Sequence, residues 1–160
     1  MLPMTAFLKP DHTHSKCVNE AQERFEQAAS QSDKRPGVYV REVFDVLLGQ
    51  HRAFSAYEIV KEMQARGKKL RPIQVYRALE ALSELGNIHR IESKNAYIAC
   101  HNGNQCSQPQ LLICESCDRV AEINSDPIER LISKTADASG FVLQGRQVEL
   151  FGLCPSCAAQ

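Results

Sequence analysis

The sequence predicts an α+β protein of two small domains, an N-terminal winged helix-turn-helix and a C-terminal α/β domain with a three-stranded sheet and a four-cysteine zinc site. Three observations predict this class. Helical periodicity gives way to strand-like runs after Gly86, a second strand–helix–strand series follows, and two CxxC motifs bracket that series. With 160 residues, 43% hydrophobic and 24% charged, the chain has an ordinary globular composition and enough length to bury a core.

Four helices are predicted in the first half of the chain. The first runs from Asn19, with apolar residues every three or four positions, and the second covers about 38–48. The third, "SAYEIVKEMQARG", begins with a capping box in which Ser55 and Glu58 satisfy each other's free backbone N–H groups. The fourth follows at about 72–85, with a proline suited to its first turn.

The fourth helix is predicted to have a buried face and an outer face. Its core-facing positions are apolar, and the opposite face carries Gln74, Arg77 and Ala78. Two short apolar runs, "NIHRIE" and "AYIAC", then predict a hairpin. Three helices, a fourth with a polar outer face and a hairpin form the element order of a winged helix-turn-helix.

The second half is predicted to contain three strands and one helix. The segments "QLLIC", "RVAEIN" and "RQVELFGLC" are strand-like, and "SDPIERLISKTADASG" is helical. The predicted divisions of the chain are a flexible tail at 1–18, the winged-helix domain at 19–100, a hinge loop at 101–107 and the second domain at 108–160.

Charge is unevenly spread, although the net charge is zero. Residues 34–94 carry twelve Lys or Arg and seven Asp or Glu, a net of +5, whereas both flanking segments are acidic. A basic middle indicates that this part of the chain meets a polyanion. Because the sequence has no apolar run of spanning length and no secretory signal, we expect a cytoplasmic protein whose CxxC pairs bind metal instead of forming disulfides.

Two CxxC pairs are the strongest chemical signal, and their members are Cys114, Cys117, Cys154 and Cys157. Each CxxC turn presents two thiolates, and two such turns complete the tetrahedral shell that zinc prefers. We therefore predict one closed structural zinc site. The alternative is a dithiol redox pair, which would open a helix inside a βαβ unit. The second pair lies three residues from the end of the sequence, where no such helix is expected.

A second group of ligand-type residues gathers around the predicted boundary: His89, Cys100, His101, Cys106 and Glu122. One or two sulfurs, one nitrogen and one oxygen suit zinc better than iron or manganese. The alternative is that these are ordinary surface groups or core fillers. A weaker candidate for metal binding is the segment "HTHSKC" of the tail, with His12, His14 and Cys17.

Taken together, these segments resemble the ferric uptake regulator family of bacterial metal-sensing repressors. The resemblance rests on the ordered set "SAYEIVKEM", "VYRALEALSELGNIHRIES", "NAYIAC", "LLICESCDRVAEI" and "GLCPSC". It covers about residues 19–157 and is greatest to the zinc uptake regulator branch. It implies a homodimer of two-domain subunits, in which the winged helix reads DNA, the second domain dimerises through paired strands and the four paired cysteines hold structural zinc.

The resemblance also implies a regulatory zinc site at the hinge. The His, Cys and Glu ligands of the family match His89, Cys100 and Glu122. Zinc bound there would set the conformation in which the dimer binds DNA. No histidine occupies the expected fourth position, so Cys106 is predicted to replace it, with His101 as the runner-up.

Two departures from the family pattern lead to further expectations. The hinge loop lacks the His-rich run of iron regulators, which argues against iron. Asp118 follows the first CxxC motif where the family usually has glycine, which predicts a left-handed backbone conformation that aspartate tolerates.

In the matching family the fourth helix enters the major groove of DNA. Predicted contacts on this helix are Gln74, Tyr76 and Arg77, because arginine can bond guanine and tyrosine can pack on a thymine methyl or bond phosphate. Tyr57 matches another DNA-contacting position. Basic residues ahead of the helix are predicted to meet phosphates: Lys68, Lys69 and Arg71. Two-fold symmetry then predicts a near-palindromic operator.

The resemblance thus predicts a zinc-responsive repressor of zinc-uptake genes, with two zinc ions per subunit and no catalytic activity. Sensing of iron, nickel, manganese or peroxide is an alternative. A zinc-ribbon interaction module is another, although it would leave the winged helix unexplained. A zinc deaminase would carry the H-x-E and P-C-x-x-C signature, which the sequence lacks.

Overall fold

The computed structural model describes Phe7 and residues 14–32, 36–101 and 109–159. No helix in this part of the chain is long and apolar enough to cross a membrane. The helices are α1 His14–Gln31, α2 Val40–Leu48, α3 Ala56–Ala65, α4 Pro72–Glu84, α5 Asp126–Ala138 and α6 Pro155–Ala158. The strands are β1 Phe54–Ser55, β2 Ile88–Ile91, β3 Ala96–Ala99, β4 Gln110–Cys114, β5 Val120–Ile123 and β6 Val148–Gly152.

Helices α1 to α4 enclose the first hydrophobic core, and α4 packs against both α2 and α3. The first helix is longer than predicted, because it begins at His14 and not at Asn19. Its buried residues Ala21 and Phe25 lie on a stripe that continues back to the half-buried Val18. The first turn of α1 consists mainly of polar residues, so apolar periodicity in the sequence did not indicate this extension.

One prediction about α4 is wrong: Ala78 does not lie on the outer face. It is 3% exposed, in the same buried stripe as Val75, Leu79 and Leu82. These four positions follow the i, i+3, i+4, i+7 spacing of one helical face. Ala78 therefore belongs to the core, and the outer face of α4 is formed by exposed residues such as Tyr76 and Arg77.

The predicted hairpin consists of β2 and β3 and is the wing of the winged helix. The two-residue strand β1, which was not predicted, adds to β3 and gives a three-stranded sheet in the order β1-β3-β2. A one-turn 3-10 helix, Glu92–Lys94, joins β2 to β3. Successive side chains of a strand point to opposite faces. Accordingly, Ile88 and Ala99 face the helical core, whereas Ile91 and Ile98 face a second core.

This second core contains residues from both halves of the chain. On the wing side it includes Ala96, and on the other side it includes Leu111, Ile113 and Val120. Their strands form the predicted C-terminal sheet in the order β5-β4-β6, with β4 antiparallel to β5 and parallel to β6. The parallel pair is connected through α5, as a parallel crossover requires.

Polar contacts add to this junction between wing and C-terminal sheet. The Glu149 carboxylate accepts the backbone N–H groups of Glu92 at 2.8 Å and of Ser93 at 3.3 Å. Lys94 forms an ion pair with Asp118. We call this set of contacts the wing junction.

The expectation that no helix accompanies the second CxxC pair is also wrong. Helix α6 is a single turn, Pro155–Ala158, and Cys154 is its N-cap residue. It does not create a thioredoxin-like site, because it follows β6 at the end of the described chain and does not connect two strands.

Candidate metal centres and nucleic-acid interface

The four paired cysteines converge at one end of the C-terminal sheet, where one ligand sulfur from each lies within 4.8 Å of the others. Cys114 ends β4 and Cys117 lies in the turn that follows, while Cys154 is the N-cap residue of α6 and Cys157 lies within that helix. The Sγ atoms of Cys117 and Cys154 are 3.7 Å apart. The parallel register of β4 and β6, which pairs Cys114 with Gly152, brings the two motifs together.

The protonation of these thiols depends strongly on their neighbours. The backbone N–H of Cys154 points at the Cys114 sulfur from 3.3 Å and is the main reason that the pKa of Cys114 falls to about 6. The Arg119 N–H would lower the pKa of Cys117, but burial and the other three thiols raise it to about 12.

The second CxxC pair is divided in the same way. The Cys157 N–H lowers the pKa of Cys154. The hydrogen bond from Ser116 would lower the pKa of Cys157, but the neighbouring Cys154 thiol, with burial and Cys114, raises it. Two thiolates are therefore favoured, and deprotonation of the other two thiols is opposed. A divalent cation relieves this repulsion, so the cluster fits zinc.

Asp118 closes the first CxxC turn with a positive φ of 57°, so the predicted left-handed conformation is confirmed. Aspartate is one of the few residues other than glycine that visit this region routinely. Its carboxylate pairs with Lys94 of the wing. The residue that departs from the family pattern therefore connects the cysteine cluster to the wing junction.

A second cluster lies between the wing and the C-terminal sheet. Ligand atoms of His89, Cys100 and Glu122 all lie within 4.8 Å of one another. His89 pairs with Ile98 across the hairpin, so the side chains of His89, Ile98 and Cys100 share one face of the wing. Glu122 pairs with Leu111, a residue of the core that this face covers. Strand pleating thus aims all three ligands at the same junction, which we call the hinge cluster.

The hinge cluster is buried and electrostatically matched. Cys100 is 3% exposed, and the side chains of His89 and Glu122 are 12% and 2% exposed. Burial alone would lower the pKa of His89, but contact with Cys100 and the nearby Glu122 carboxylate, whose oxygen is 3.8 Å from Nε2, raises it. A buried carboxylate and a thiol next to an imidazole form an environment that favours positive charge. One nitrogen, one sulfur and one oxygen fit zinc.

Of the two predicted candidates for a fourth ligand of the hinge cluster, the structure describes only His101. Cys106 lies outside the described residues. His101 contributes its backbone N–H, which is 3.3 Å from both Glu122 carboxylate oxygens. Its imidazole Nε2 instead lies 3.1 Å from Nδ1 of His51. Of the tail candidates, His14 and Cys17 belong to α1, and His12 is outside the described residues.

Helix α4 presents an exposed outer surface for contact with a partner. Arg77 is exposed and Tyr76 is 49% exposed. Tyr57, at the start of α3, is 68% exposed, and the Lys61 ammonium lies 4.8 Å from its ring centroid. Gln74 is less available, because it is half-buried and its Oε1 accepts the Arg71 N–H at 2.9 Å.

The basic residues before α4 divide into two groups. Lys69 and Arg71 are exposed and line an open cleft of about 460 Å³ together with Gln64, Gly67 and Leu70. Lys68 instead donates to Glu42 of α2 at 2.7 Å, and the contact with Glu42 raises the pKa of Lys68.

Sequence reasoning missed Ile73, which is 55% exposed on the first turn of α4. A signal was available, because Ile73 falls outside the buried stripe of this helix. An exposed β-branched residue beside Gln74 and Tyr76 provides an apolar contact surface of the kind that fits a thymine methyl group.

A winged helix whose wing shares a buried His–Cys–Glu cluster with a second domain, which bears a four-cysteine site, defines the class of metal-dependent DNA-binding regulators. Residues 39–151 match the model of the ferric uptake regulator family, and the chain belongs to that family.

Individual relatives agree with this assignment. The zinc uptake regulation protein of Escherichia coli (strain K12) is 33% identical over 117 residues, which cover 72% of this chain and 68% of that protein. A zinc uptake regulator solved in complex with zinc and DNA superposes with a TM-score of 0.80 at 29% identity, covering 93% of this chain and 97% of that one.

A third relative has been solved in two states. The structure of holo XcZur superposes with a TM-score of 0.78 at 29% identity, over 92% of this chain and all of that one. The apo structure of XcZur gives a TM-score of only 0.51 at 31% identity, over 89% of this chain and 99% of that one. Because identity and coverage are similar, the difference lies in the arrangement of the fold, and this chain has an arrangement similar to the holo form.

Proposed function

We propose that this protein is a zinc-responsive, DNA-binding transcriptional repressor of zinc-uptake genes, and that the hinge cluster is its regulatory site. The observation that carries the proposal is the meeting of His89 and Cys100, from the wing, with Glu122, from the C-terminal sheet, within 4.8 Å. Ligands divided between two domains allow a bound ion to set the geometry between them. Cys106 is proposed as the fourth ligand.

The two clusters are suited to different tasks. The four cysteines belong entirely to the C-terminal domain, so we propose that they hold a permanent structural zinc ion. Together with the regulatory ion, this gives two zinc ions per subunit. When bound at the hinge cluster, zinc supplies a cation that joins the wing to the C-terminal sheet. Greater similarity to holo XcZur than to its apo form supports a hinge that zinc holds in one defined arrangement.

The DNA-binding surface is proposed to be the outer face of α4 with its flanking residues. Arg77, Tyr76 and Ile73 would reach base edges, while Tyr57, Lys69 and Arg71 would contact phosphates. Lys68 would have to exchange its contact with Glu42 for a phosphate, and Gln74 would act mainly by capping α4.

A homodimer in the cytoplasm is proposed as the active form, with a near-palindromic DNA duplex as its partner. Strand β6 is one of the two outer strands of the C-terminal sheet and carries exposed apolar residues, with Leu150 45% and Phe151 51% exposed. Such an edge is suited to pairing with a second copy. Through linkage, zinc that tightens DNA binding must itself be bound more tightly by the DNA complex.

The test begins with protein that retains only its structural zinc and with a duplex selected from a random library by the zinc-loaded protein. Zinc, iron, nickel and manganese are then titrated separately while fluorescence anisotropy follows DNA binding. Zinc is expected to promote binding at lower free concentration than the other three ions. If another ion promotes DNA binding at a lower free concentration than zinc does, that ion and not zinc is the signal.

A pair of cysteine variants assigns the response to the hinge cluster. Cys100→Ser is expected to lose zinc-dependent DNA binding while keeping its structural zinc. Cys17→Ser is the matched control, because it removes a half-buried thiol from α1 and leaves both clusters intact. A full zinc response in Cys100→Ser would contradict the assignment.

A further inference from the structure

The backbone of Cys100 is hydrogen-bonded on both sides of its ligand side chain. Its N–H donates to the Asn87 carbonyl at 2.8 Å, and its own carbonyl accepts the Arg24 guanidinium of α1 at 3.2 Å. The next N–H along the chain, that of His101, lies 3.3 Å from both carboxylate oxygens of Glu122. The Cys100 thiol therefore enters the hinge cluster from a backbone that is fixed from several directions.

Asn87 lies opposite Cys100 at the open end of the wing hairpin. The register pairs Ile88 with Ala99, so Asn87 and Cys100 form the next pair along the two strands. In a regular antiparallel pair of this type the two residues exchange both backbone hydrogen bonds. Here the Cys100 N–H keeps its bond, but the Asn87 N–H donates at 3.0 Å to the Leu82 carbonyl of α4. The backbone of Asn87 is therefore divided between the wing and α4.

The bond from Asn87 to Leu82 is part of the C-terminal cap of α4. Gly86 has a positive φ of 70°, and its N–H donates to the Ser83 carbonyl at 3.0 Å. Together with the bond from Asn87 to Leu82, this forms a Schellman motif. The Asn87 side chain takes part as well, because its Nδ2 donates to the carbonyl of the C-cap residue Leu85 at 3.2 Å. The last turn of α4 thus sets the position of Asn87.

We propose that Asn87 is a positioning residue that couples zinc at the hinge cluster to the placement of α4, the helix proposed to face DNA. This role rests on the proposed regulatory function and names the contact that transmits it. One hydrogen bond separates the ligand residue Cys100 from the cap of α4. When zinc fixes the Cys100 backbone against Glu122, the Asn87 carbonyl and the last turn of α4 are held in one position relative to the C-terminal sheet.

The side chain of Asn87 makes this link stiff. Asn87 is only 6% exposed, and its amide fixes the direction of the peptide group that bonds Cys100. A buried helix carbonyl that loses such a donor is left unsatisfied, so the end of the helix frays more easily. Asn87→Ala removes the bond to Leu85 and keeps the backbone bonds to Leu82 and Cys100. Zinc should therefore still bind, while its effect on α4 is weakened.

The test measures the coupling factor, which is the ratio of DNA affinities with the hinge cluster loaded with zinc and free of zinc. Fluorescence anisotropy with the selected duplex gives both affinities for full-length protein that retains its structural zinc. Asn87→Ala is expected to lower the coupling factor about two- to tenfold, which corresponds to the net strength of one hydrogen bond. A general loss of stability would weaken DNA binding equally in both states and leave this ratio unchanged.

Zinc binding and a matched variant complete the experiment. Competition with a chromophoric chelator should show that Asn87→Ala changes the zinc affinity of the DNA-free protein by less than about twofold. Ser83→Ala is the control, because it alters an exposed side chain in the last turn of the same helix. Its coupling factor should equal that of wild type. If Asn87→Ala also keeps the wild-type factor, the proposal is overturned and the regulatory function stands. A wild-type factor of one would overturn both.

Hydrogen exchange in the wild-type protein provides a second measurement that needs no variant. Zinc at the hinge cluster is expected to slow exchange at the Asn87 amide, which belongs to the cap of α4, as well as at the Cys100 amide. Slower exchange at Cys100 alone would show that the effect of zinc ends at the ligand, and it would overturn the proposal.

Discussion

At the scale of single residues, Ser55 and Glu58 show how one local motif connects the wing sheet to helix α3. The Ser55 hydroxyl accepts the Glu58 N–H at 3.3 Å, and the Glu58 carboxylate accepts the Ser55 N–H at 2.8 Å. Arg52 donates to the same carboxylate at 2.9 Å. The predicted capping box is therefore present and is extended by an arginine that sequence spacing did not indicate.

We expect the stability contributed by Glu58 to depend on pH. Burial alone would raise its pKa, but bonds from Ser55 and Arg52 lower it below the ordinary value of 4.5. A carboxylate with a lowered pKa stabilises the fold above its unfolded pKa and loses that contribution as pH falls through the folded value. Glu58→Gln should therefore lower the free energy of unfolding by about 0.5–1 kcal/mol at neutral pH and by close to nothing in acid. The loss at neutral pH is small because the carboxylate is partly exposed and solvent screens its charge.

Urea unfolding at several pH values measures this difference, with Glu62→Gln as the control from an exposed position of the same helix. An equal loss of stability at neutral and acidic pH would show that charge on Glu58 is unimportant.

Arg77 is expected to determine base preference. Arg77→Ala should weaken binding to the selected duplex by about 1–3 kcal/mol and relax the sequence preference at one position per half-site. Lys69→Ala should weaken binding to all sequences alike and reduce its salt dependence, since phosphate contacts carry no sequence information. Anisotropy with matched and mismatched duplexes at two salt concentrations separates these effects. If Arg77→Ala instead weakens binding to matched and mismatched duplexes equally, Arg77 contacts phosphate and not a base.

At the scale of elements, the wing has two buried faces. One face completes the helical core and the other completes the core shared with β4 and β5. The wing junction adds hydrogen bonds from the Glu92–Lys94 turn to Glu149 and the ion pair of Lys94 with Asp118. The hinge cluster lies in this same interface, so any change in wing docking should alter metal binding.

Glu149→Gln should loosen the wing without unfolding either domain. Replacing the carboxylate weakens two charge-assisted hydrogen bonds at the protein surface, and we expect a loss of about 1 kcal/mol in local opening free energy. Hydrogen exchange at the Glu92 and Ser93 amides should accelerate by roughly fivefold. Asp137→Asn, at an exposed position of α5, is the control. Unchanged exchange at both amides would exclude a role for Glu149 in wing docking.

At the scale of the whole molecule, the C-terminal domain exposes a group of large apolar side chains. Phe141, Val142, Leu150, Phe151 and Leu153 are all 45% or more exposed. Several large apolar side chains exposed near one sheet edge are typical of an interface. Their location is consistent with the proposed dimer through β6 and leaves the outer face of α4 available for DNA.

Phe151→Glu should therefore shift the protein towards monomer. Each substitution occurs twice in a symmetric dimer, so the expected loss is on the order of 2 kcal/mol or more of association free energy. Sedimentation equilibrium measures this shift. Val38→Glu is the control, because Val38 is 83% exposed and precedes α2 in the winged-helix domain. A Phe151→Glu dimer as stable as wild type would place the interface elsewhere.

Much of the fold follows from local sequence signals. Ser55 and Glu58 mark the start of α3, Pro72 the start of α4, and the two CxxC motifs have a spacing that only a folded interval can close. The early start of α1, the two-residue β1 and the burial of Ala78 were not predicted, because each depends on what packs against it and not on a periodic signal of its own.

The sequence by itself determined which residues can bind metal and which helix can face DNA, because ligand chemistry and helical periodicity are local properties. Only the tertiary structure decided which ligands meet. It aimed His89 and Cys100 at Glu122 through the pleat of two facing sheets, and it turned the His101 ring away to His51 and His14. Those partners are far apart along the chain, so their proximity depends on the packing of elements and not on spacing in the sequence.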